Sequence, residues 1–190
     1  MGTSRTIVAT TESYLDDPLV AHLENRGIDV FRGSISDVAQ RAVCCARDNG
    51  LDHFVRVSGD SPFIDSNLIN KALLEYQNGC FDLVTNVFPR SFPSGASVEV
   101  IGTSSMQKLL RLTQDPYDRE HVTPYFYKNP DNFRIKNFFS DNKKYHGVNL
   151  AIDTLEDLRR VTWILETFGE SLDLNRAAEK WLLWERNDAI

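Results

Sequence analysis

Short apolar runs alternate along this chain with segments in which apolar residues recur every three or four positions. The short runs predict β-strands, and the periodic segments, several of which end at a glycine, predict amphipathic helices. The predicted strands are Thr6–Thr10, Ile28–Phe31, Phe54–Val57, Phe81–Thr85, Ser97–Ile101, Phe133–Phe139 and Val148–Ile152. The predicted helices are Asp17–Arg26, Ser36–Asn49, Asp65–Asn78, Ser104–Leu112, 118–128, Thr154–Phe168 and Leu174–Glu185.

This alternation is typical of an α/β protein with a doubly wound, mostly parallel sheet that carries helices on both faces. No repeat or linker interrupts it, so we expect a single domain over residues 1–190. Prolines, serines and a glycine between Asn86 and Ala96 predict a loop over the sheet edge. The first predicted strand starts almost at once, so we expect the first βα unit of such a fold to be missing.

Composition narrows the class of protein. The 190 residues are 42% hydrophobic and carry a formal net charge of −6, which suits a globular domain and argues against a nucleic-acid binder. No apolar run approaches the roughly 20 residues of a membrane span, and no secretory signal opens the chain. Cys44, Cys45 and Cys80 lack metal-binding spacing, so we expect reduced thiols and a cytoplasmic location.

Two aspartates stand at the ends of predicted strands. Asp60 follows an apolar run and Gly59, and Asp153 ends the run Val148–Ile152. Strand ends of one parallel sheet converge at its carboxyl edge, where two carboxylates can hold Mg²⁺ against phosphates. The alternative for each is a local role, as a helix N-cap or turn residue at Asp60 or beside a helix cap at Asp153.

Other candidate residues lie in three further segments. Arg32 and Gly33 end a strand, and Asp37 and Arg41 share one face of the next helix, where a surface ion pair is the alternative interpretation. Glu99 lies on a strand after a flexible turn and can face either solvent or a pocket.

The third of these segments contains Arg119, which could clamp a carboxylate or phosphate, and His121, which could donate a hydrogen bond or act as a base. A structural role is the alternative for His121. Walker, dinucleotide-binding, nucleophile-elbow and zinc motifs do not occur, so dehydrogenase, hydrolase and zinc functions are disfavoured.

Taken in order, these motifs resemble the cytidylyltransferase family of the spore-coat polysaccharide biosynthesis type, related to acylneuraminate and 3-deoxy-manno-octulosonate cytidylyltransferases. The resemblance runs over residues 6–168, followed by a C-terminal helix in 169–190. The matching segments are Ile7-Val8-Ala9-Thr10-Thr11, Asp16-Asp17-Pro18-Leu19, Val30-Phe31-Arg32-Gly33-Ser34, Asp37-Val38, Arg56-Val57-Ser58-Gly59-Asp60-Ser61-Pro62-Phe63-Ile64-Asp65, Val98-Glu99-Val100, Asp115-Pro116-Tyr117-Asp118-Arg119-Glu120-His121-Val122-Thr123-Pro124-Tyr125 and Ile152-Asp153-Thr154-Leu155-Glu156-Asp157-Leu158.

The resemblance implies a nucleotide-diphospho-sugar transferase-like fold and the joining of CTP to an acidic or modified sugar with Mg²⁺. It implies roles for three sets of residues. The catalytic and metal-binding residues would be Asp60 and Asp153. The nucleotide-binding residues would be Arg32, Gly33, Asp37, Arg41 and Gly59. The residues toward the sugar acceptor would be Glu99, Arg119 and His121.

The chain departs from the family pattern at its start. The family's glycine-rich, basic loop for the triphosphate has no counterpart before Ile7, so we expect a truncated chain whose activity is impaired. Two functions stay open. One is a cytidylyltransferase, and the other is a non-catalytic binding or oligomerisation module, for which an unpaired sheet position invites a homodimer.

Overall fold

A computed structural model of the chain describes residues 5–169 and 172–187. It divides into two compact units, the first from residues 1–54 and 102–133 and the second from residues 55–101 and 134–190. A single domain over 1–190 stays a prediction. Within the described ranges, no helix is both long and apolar enough to cross a bilayer.

The elements alternate along the chain as the sequence predicts. The strands are β1 (Ile7–Thr11), β2 (Asp29–Gly33), β3 (His53–Arg56), β4 (Leu83–Thr85), β5 (Glu99–Gly102) and β6 (Ile135–Asn137). The helices are α1 (Asp17–Glu24), α2 (Val38–Asp48), α3 (Ser66–Gln77), α4 (Thr103–Leu112), α5 (Pro116–His121), α6 (Pro124–Lys128), α7 (Leu155–Phe168) and α8 (Leu174–Asn187). This mixed α/β architecture with parallel strand pairs confirms the predicted fold class.

The first unit is built on a parallel pair of strands. β1 and β2 pair from Ile7 opposite Asp29 to Thr11 opposite Gly33. Helix α2 packs against α4 and α5, and it buries Ala39, Val43 and Ala46, which lie four and three residues apart on one face. The apolar period of the sequence therefore sets which face of α2 enters the core.

The second unit contains a sheet of order β3-β5-β4-β6. β4 runs parallel to β6 and antiparallel to β5, so the sheet is mixed at β5. Its core is a cluster of apolar side chains from the sheet, α3, α7 and α8, among which Val84, Val100, Ile164 and Trp181 are almost fully buried. Every residue of β4 and β5 is buried, including the polar Thr85 and Glu99, as expected of strands covered on both faces.

Two predicted elements differ in the structure. Residues 148–152 form no strand, and an isolated bridge joins Asn149 to Ser94. The helix predicted over 118–128 is broken into α5 and α6 at Val122.

The break at Val122 is a strained turn. Val122 has φ of 71° and ψ of −62°, and the Thr123 amide donates to the His121 carbonyl at 2.8 Å, which closes a three-residue γ-turn. Its side chain is fully buried. A β-branched residue in this region of φ carries strain of about 1–3 kcal/mol, which the surrounding packing must offset.

The loop after β1 is closed by a carboxylate. Oδ2 of Asp16 accepts hydrogen bonds from the Thr10 hydroxyl at 2.6 Å, the Thr11 hydroxyl at 2.5 Å and the Thr11 amide at 3.0 Å. These bonds favour the ionised form, the Thr10 hydroxyl most, and lower the pKa of Asp16 to about 2. The loop is therefore held by a charge that persists to acidic pH.

Acid should release this loop. Because the folded-state pKa of Asp16 lies below its unfolded value of about 4, its contribution is complete above about pH 4 and disappears as pH falls toward 2. We expect Asp16→Asn to lower the free energy of unfolding at pH 7, and the difference from the parent protein to shrink below pH 4. Urea titrations at pH 7, 5, 4 and 3 measure this, with Glu24→Gln at the exposed end of α1 as the control. A difference that is constant with pH would contradict the assignment.

At Val122 we expect the glycine variant to be more stable than the alanine variant, which is the reverse of the order expected inside a helix. Both substitutions remove buried methyl groups, but only glycine relieves the positive φ, so Val122→Gly should be more stable than Val122→Ala by about 1 kcal/mol. Urea unfolding of the two variants measures the difference.

Val43 provides the matched control, since it is a buried valine inside helix α2. There glycine should be less stable than alanine by about 1 kcal/mol. The strain assignment at Val122 is wrong if the two positions show the same order.

Candidate active site

Polar residues occupy one edge of the second unit's sheet. Arg56 ends β3, Thr85 ends β4, Asn137 ends β6, and Glu99 begins β5. Thr85 lies opposite Glu99 and Asn137 in the strand register, and Nη1 of Arg56 lies 2.7 Å from Oε2 of Glu99. We call these four residues the edge row. They lie at the carboxyl ends of β4 and β6, which is the edge where open α/β sheets bind ligands.

The predicted pair of aspartates lies in two adjacent loops of this unit. The Ile152 amide donates to the Asp60 carbonyl at 2.9 Å, so the residue before Asp153 is hydrogen bonded directly to Asp60. Both aspartates are exposed. Two aspartates more than 90 residues apart in sequence are thus brought to neighbouring positions along the backbone.

The segment that carries Asp153 is also held on its other side. The Ser94 amide donates to the Val148 carbonyl at 3.0 Å, and the Leu150 amide donates to the Ser94 carbonyl at 2.9 Å. Gly95 follows with φ of 80°, and a Cβ there would lie 2.6 Å from the Ala151 nitrogen. Only glycine permits this approach, so the loop predicted over 86–96 supports the segment from one side while Asp60 bonds it from the other.

Each aspartate has a side-chain partner. Oδ1 of Asp60 accepts from the Ser61 hydroxyl at 2.9 Å, and Oδ2 of Asp153 accepts from the Asn149 amide at 3.1 Å. In the part of the chain that the structure describes, no group of three His, Cys, Asp or Glu residues could hold a metal ion. Mg²⁺ often uses only one or two carboxylates and takes its other ligands from water and phosphates. The donor set therefore fits Mg²⁺ bound together with a nucleotide, and the metal role stays a prediction.

Glu99 is a buried carboxylate of the edge row. It is 2% exposed and pairs with Arg56, whose side chain is 31% exposed. A buried charge requires such a partner, because an isolated one would be very costly. The sequence left open whether the side chain of Glu99 faces solvent or a pocket. In the structure it is buried at the edge of the sheet.

The residues predicted to bind nucleotide lie mostly in the first unit. The guanidinium of Arg32 donates to the carbonyls of Thr11 at 3.0 Å and Ser13 at 2.6 Å, and it pairs with Asp17 at 2.7 Å. Arg32 thus fastens the loop after β1. A Cβ on Gly33 would lie 3.0 Å from Cγ of Arg41, so the backbone there is crowded by the chain's own side chains.

Asp37 and Arg41 find separate partners. Asp37 caps α2 by accepting from the Gln40 amide at 2.8 Å, and its other oxygen lies 2.8 Å from Nη1 of Arg119. Arg41 donates to the Ser34 carbonyl at 2.7 Å. In the second unit, Gly59 lies in the turn before Asp60 with open space where a Cβ would stand.

Arg119 and His121, predicted toward the acceptor, have different environments. Besides Asp37, Arg119 donates to the carbonyls of Leu110 at 2.7 Å and Thr113 at 3.0 Å, which satisfies the end of α4. His121 is exposed, and its ring lies 4.3 Å from that of Tyr117. Of the two, His121 has the environment that a ligand could reach.

Several residues of the site were missed from the sequence. Arg56, Ser94 and Asn149 support the edge row and the aspartate pair, and Asp16 closes the loop after β1. A signal existed for Asp16 and Arg56, since both lie within the segments that carry the family resemblance. No sequence pattern marks Asn149 or Ser94, because their roles depend on contacts between distant segments.

Known proteins share this fold. A cytidylyltransferase from Leptospira borgpetersenii serovar Hardjo-bovis superposes with a TM-score of 0.84 at 29% identity, covering 96% of this chain and 76% of that one. CMP:2-keto-3-deoxy-manno-octonic acid synthetase, solved in complex with CTP, superposes with a TM-score of 0.62 at 13% identity, covering 87% and 82%. The second likeness shows the fold alone.

Sequence relatives agree. An uncharacterized protein of Methanocaldococcus jannaschii is 34% identical over 80% of this chain, which spans only 62% of that protein. The spore coat polysaccharide biosynthesis protein SpsF of Bacillus subtilis is 29% identical over 95% of this chain and 75% of its own length. The cytidylyltransferase family model matches residues 2–180. The chain therefore belongs to the cytidylyltransferase family.

Proposed function

We propose that this chain binds CTP at the sheet edge of the second unit and transfers its cytidylyl group to a sugar acid for a surface polysaccharide. The observation that carries the proposal is the hydrogen bond from the Ile152 amide to the Asp60 carbonyl, because it makes Asp60 and Asp153 neighbours. The names of two similar proteins, one for spore coat polysaccharide and one solved with CTP, support the choice of substrates. Use of CTP would suit a cytoplasmic location.

Asp60 and Asp153 are the residues that would hold Mg²⁺ with the nucleotide. When bound, the ion would neutralise charge on the phosphate oxygens and favour departure of pyrophosphate. The aspartates would supply two carboxylate oxygens from fixed loops, and the Ser61 hydroxyl and the Asn149 amide would orient them.

The reaction is a substitution at the α-phosphorus of CTP. An oxygen of the sugar forms a new bond to that phosphorus, the bond to the β-phosphate oxygen breaks, pyrophosphate leaves with its electron pair, and the hydroxyl proton passes to solvent. The protein's contribution is to hold the two reactants in line, which can supply a large part of the rate enhancement.

Of the remaining predicted residues, Gly59 precedes Asp60 and is proposed on the nucleotide side. Arg32, Gly33, Asp37, Arg41 and His121 lie in the first unit, and their ligand roles stay predictions. Glu99 and Arg119 are proposed to act by positioning, since their charges meet Arg56 at 2.7 Å and Asp37 at 2.8 Å.

An assembly module without turnover is the second candidate. It is favoured by exposed apolar side chains in the loops that follow β1 and β2 of the first unit. Tyr14 is 77% exposed, Leu15 71% and Ile35 60%. Such side chains suit a contact with a second copy of the chain. Sedimentation velocity tests this, because a monomer at high concentration would exclude the homodimer.

Removal of either aspartate should weaken the metal-dependent binding of the nucleotide. We expect Asp60→Asn and Asp153→Asn each to weaken CTP binding in the presence of Mg²⁺ at least ten-fold, because each deletes one of two carboxylates from the proposed site. Calorimetric titration with CTP, with and without EDTA, measures the effect.

Asp141→Asn, at an exposed aspartate of the same unit, is the control and should bind like the parent protein. Pyrophosphate release with CTP, Mg²⁺ and a panel of acidic sugars then separates the two candidate functions. Binding without release supports the module. Binding of CTP that is insensitive to both Asp60→Asn and Asp153→Asn would exclude the proposed site.

A further inference from the structure

A side chain continues the hydrogen bonding between β4 and β5 where their backbone pairing stops. The last pair in their antiparallel register is Thr85 opposite Glu99. One step beyond it, Nδ2 of Asn86 donates to the Ala96 carbonyl at 2.7 Å, and Oδ1 of Asn86 accepts from the Val98 amide at 2.9 Å. One side-chain amide thus extends the ladder onto residues 96–98, which belong to no strand.

Asn86 is completely buried, and so are both of its partners, Ala96 and Val98. Asparagine is rarely buried to this extent, because its amide needs hydrogen-bond partners wherever water is excluded. Here the same amide supplies the donor that one backbone carbonyl needs and the acceptor that one backbone amide needs. Loss of either function would leave a buried backbone group without a partner. The position therefore depends on the chemistry of the amide and not only on its volume.

Residues 96–98, which we call the return limb, lie between two supports of the candidate site. Shortly before the limb, Ser94 makes two backbone hydrogen bonds with the segment that leads to Asp153. Directly after the limb, Glu99 begins β5 and is the buried carboxylate of the edge row. A shift of the return limb would therefore disturb both supports, and Asn86 is the side chain that bonds the limb at each of its ends.

A second side chain spans the same loop. The guanidinium of Arg90 donates to the Pro93 carbonyl at 3.2 Å and to the hydroxyl of Ser97, the middle residue of the return limb, at 3.0 Å. Arg90 thus bonds a side chain of the limb, whereas Asn86 bonds its backbone. The position of the limb is set by side chains of the loop that precedes it, so a change in one of them can be felt at the aspartate pair.

We propose that Asn86 is a positioning residue for the aspartate pair. Through its two bonds to the return limb, it fixes the loop that holds the backbone of Asp153 beside that of Asp60. Asn86 acts through this backbone and not on the ligand itself. Its effect on nucleotide binding rests on the proposed function, whereas its effect on the segment before Asp153 does not. Loss of a residue that supports a metal ligand weakens metal binding or activity by roughly 10- to 100-fold.

Asn86→Ala removes both bonds at once. We expect it to weaken Mg²⁺-dependent binding of CTP roughly ten-fold or more, measured by calorimetry. We also expect faster hydrogen exchange of the Leu150 and Ile152 amides, which bond to the loop and to Asp60. Val161→Ala truncates a buried valine of α7 and is the control for a general loss of stability, which urea unfolding measures for both variants. Parent-like binding and exchange in Asn86→Ala, or equal effects in both variants at equal loss of stability, would overturn the proposal.

Asn86→Asp provides a readout that a general loss of stability would not produce. A protonated carboxyl group can replace the amide, since its hydroxyl donates to the Ala96 carbonyl while its other oxygen accepts from the Val98 amide. An ionised one would bring a buried negative oxygen against that carbonyl, so the folded-state pKa of the introduced carboxyl lies above its unfolded value of about 4. The defect is then absent below about pH 4 and grows as pH rises through the folded-state pKa.

Binding of CTP with Mg²⁺ is therefore compared between Asn86→Asp and the parent protein at each pH from 5 to 9. We expect the two affinities to approach each other toward pH 5 and to differ roughly ten-fold or more at pH 9. Asn70→Asp makes the same change of charge at an exposed position of α3 and should match the parent throughout. A defect that is constant with pH, or none at pH 9, would contradict the role of Asn86. If the parent protein binds no CTP, the proposed function fails, and the exchange of the Leu150 and Ile152 amides still decides the positioning role.

Discussion

The hydrogen bond between the Ile152 amide and the Asp60 carbonyl is the constraint on which the second unit's site depends. It connects the turn after β3 to the segment before α7, and it brings the backbones of Asp60 and Asp153 close together. The same segment is bonded on its other side to Ser94. Backbone bonds on both sides leave the segment little freedom, so the main chain fixes the backbone of Asp153 beside that of Asp60.

Charged residues of the first unit serve mainly to hold loops and helix ends. Arg32 fastens the loop after β1, and Arg119 joins the end of α4 to the cap of α2 through Asp37. A guanidinium group suits this role because its N–H donors lie in one plane with a fixed geometry and can bind several oxygens at once. Arginines that look available for a phosphate in the sequence are thus already engaged with backbone carbonyls, and any ligand role must share those contacts.

In the second unit, one carboxylate is buried in an ion pair and two others are exposed. Glu99 is buried and neutralised by Arg56, whereas Asp60 and Asp153 are exposed. A buried charge is tolerated only when a partner of opposite charge neutralises it. An exposed carboxylate has oxygens that are available to a ligand. The side-chain amide of Asn149 donates to Oδ2 of Asp153 at 3.1 Å, so a residue of the same segment orients this carboxylate.

Local patterns determined much of this protein from the sequence alone. Alternating apolar runs and helical periods predicted the α/β class and most elements, because burial of an apolar face acts over a few residues. The same patterns drew attention to Asp60 and Asp153, although Asp60 lies in the turn after β3 and the segment before Asp153 forms no strand. Only the tertiary structure decided that 148–152 bonds to two loops instead of forming a strand, that Val122 breaks a helix, and that Arg119 is committed to backbone carbonyls. Each of these depends on contacts with residues that are distant in sequence, and the local spacing of apolar residues does not reveal where those residues lie.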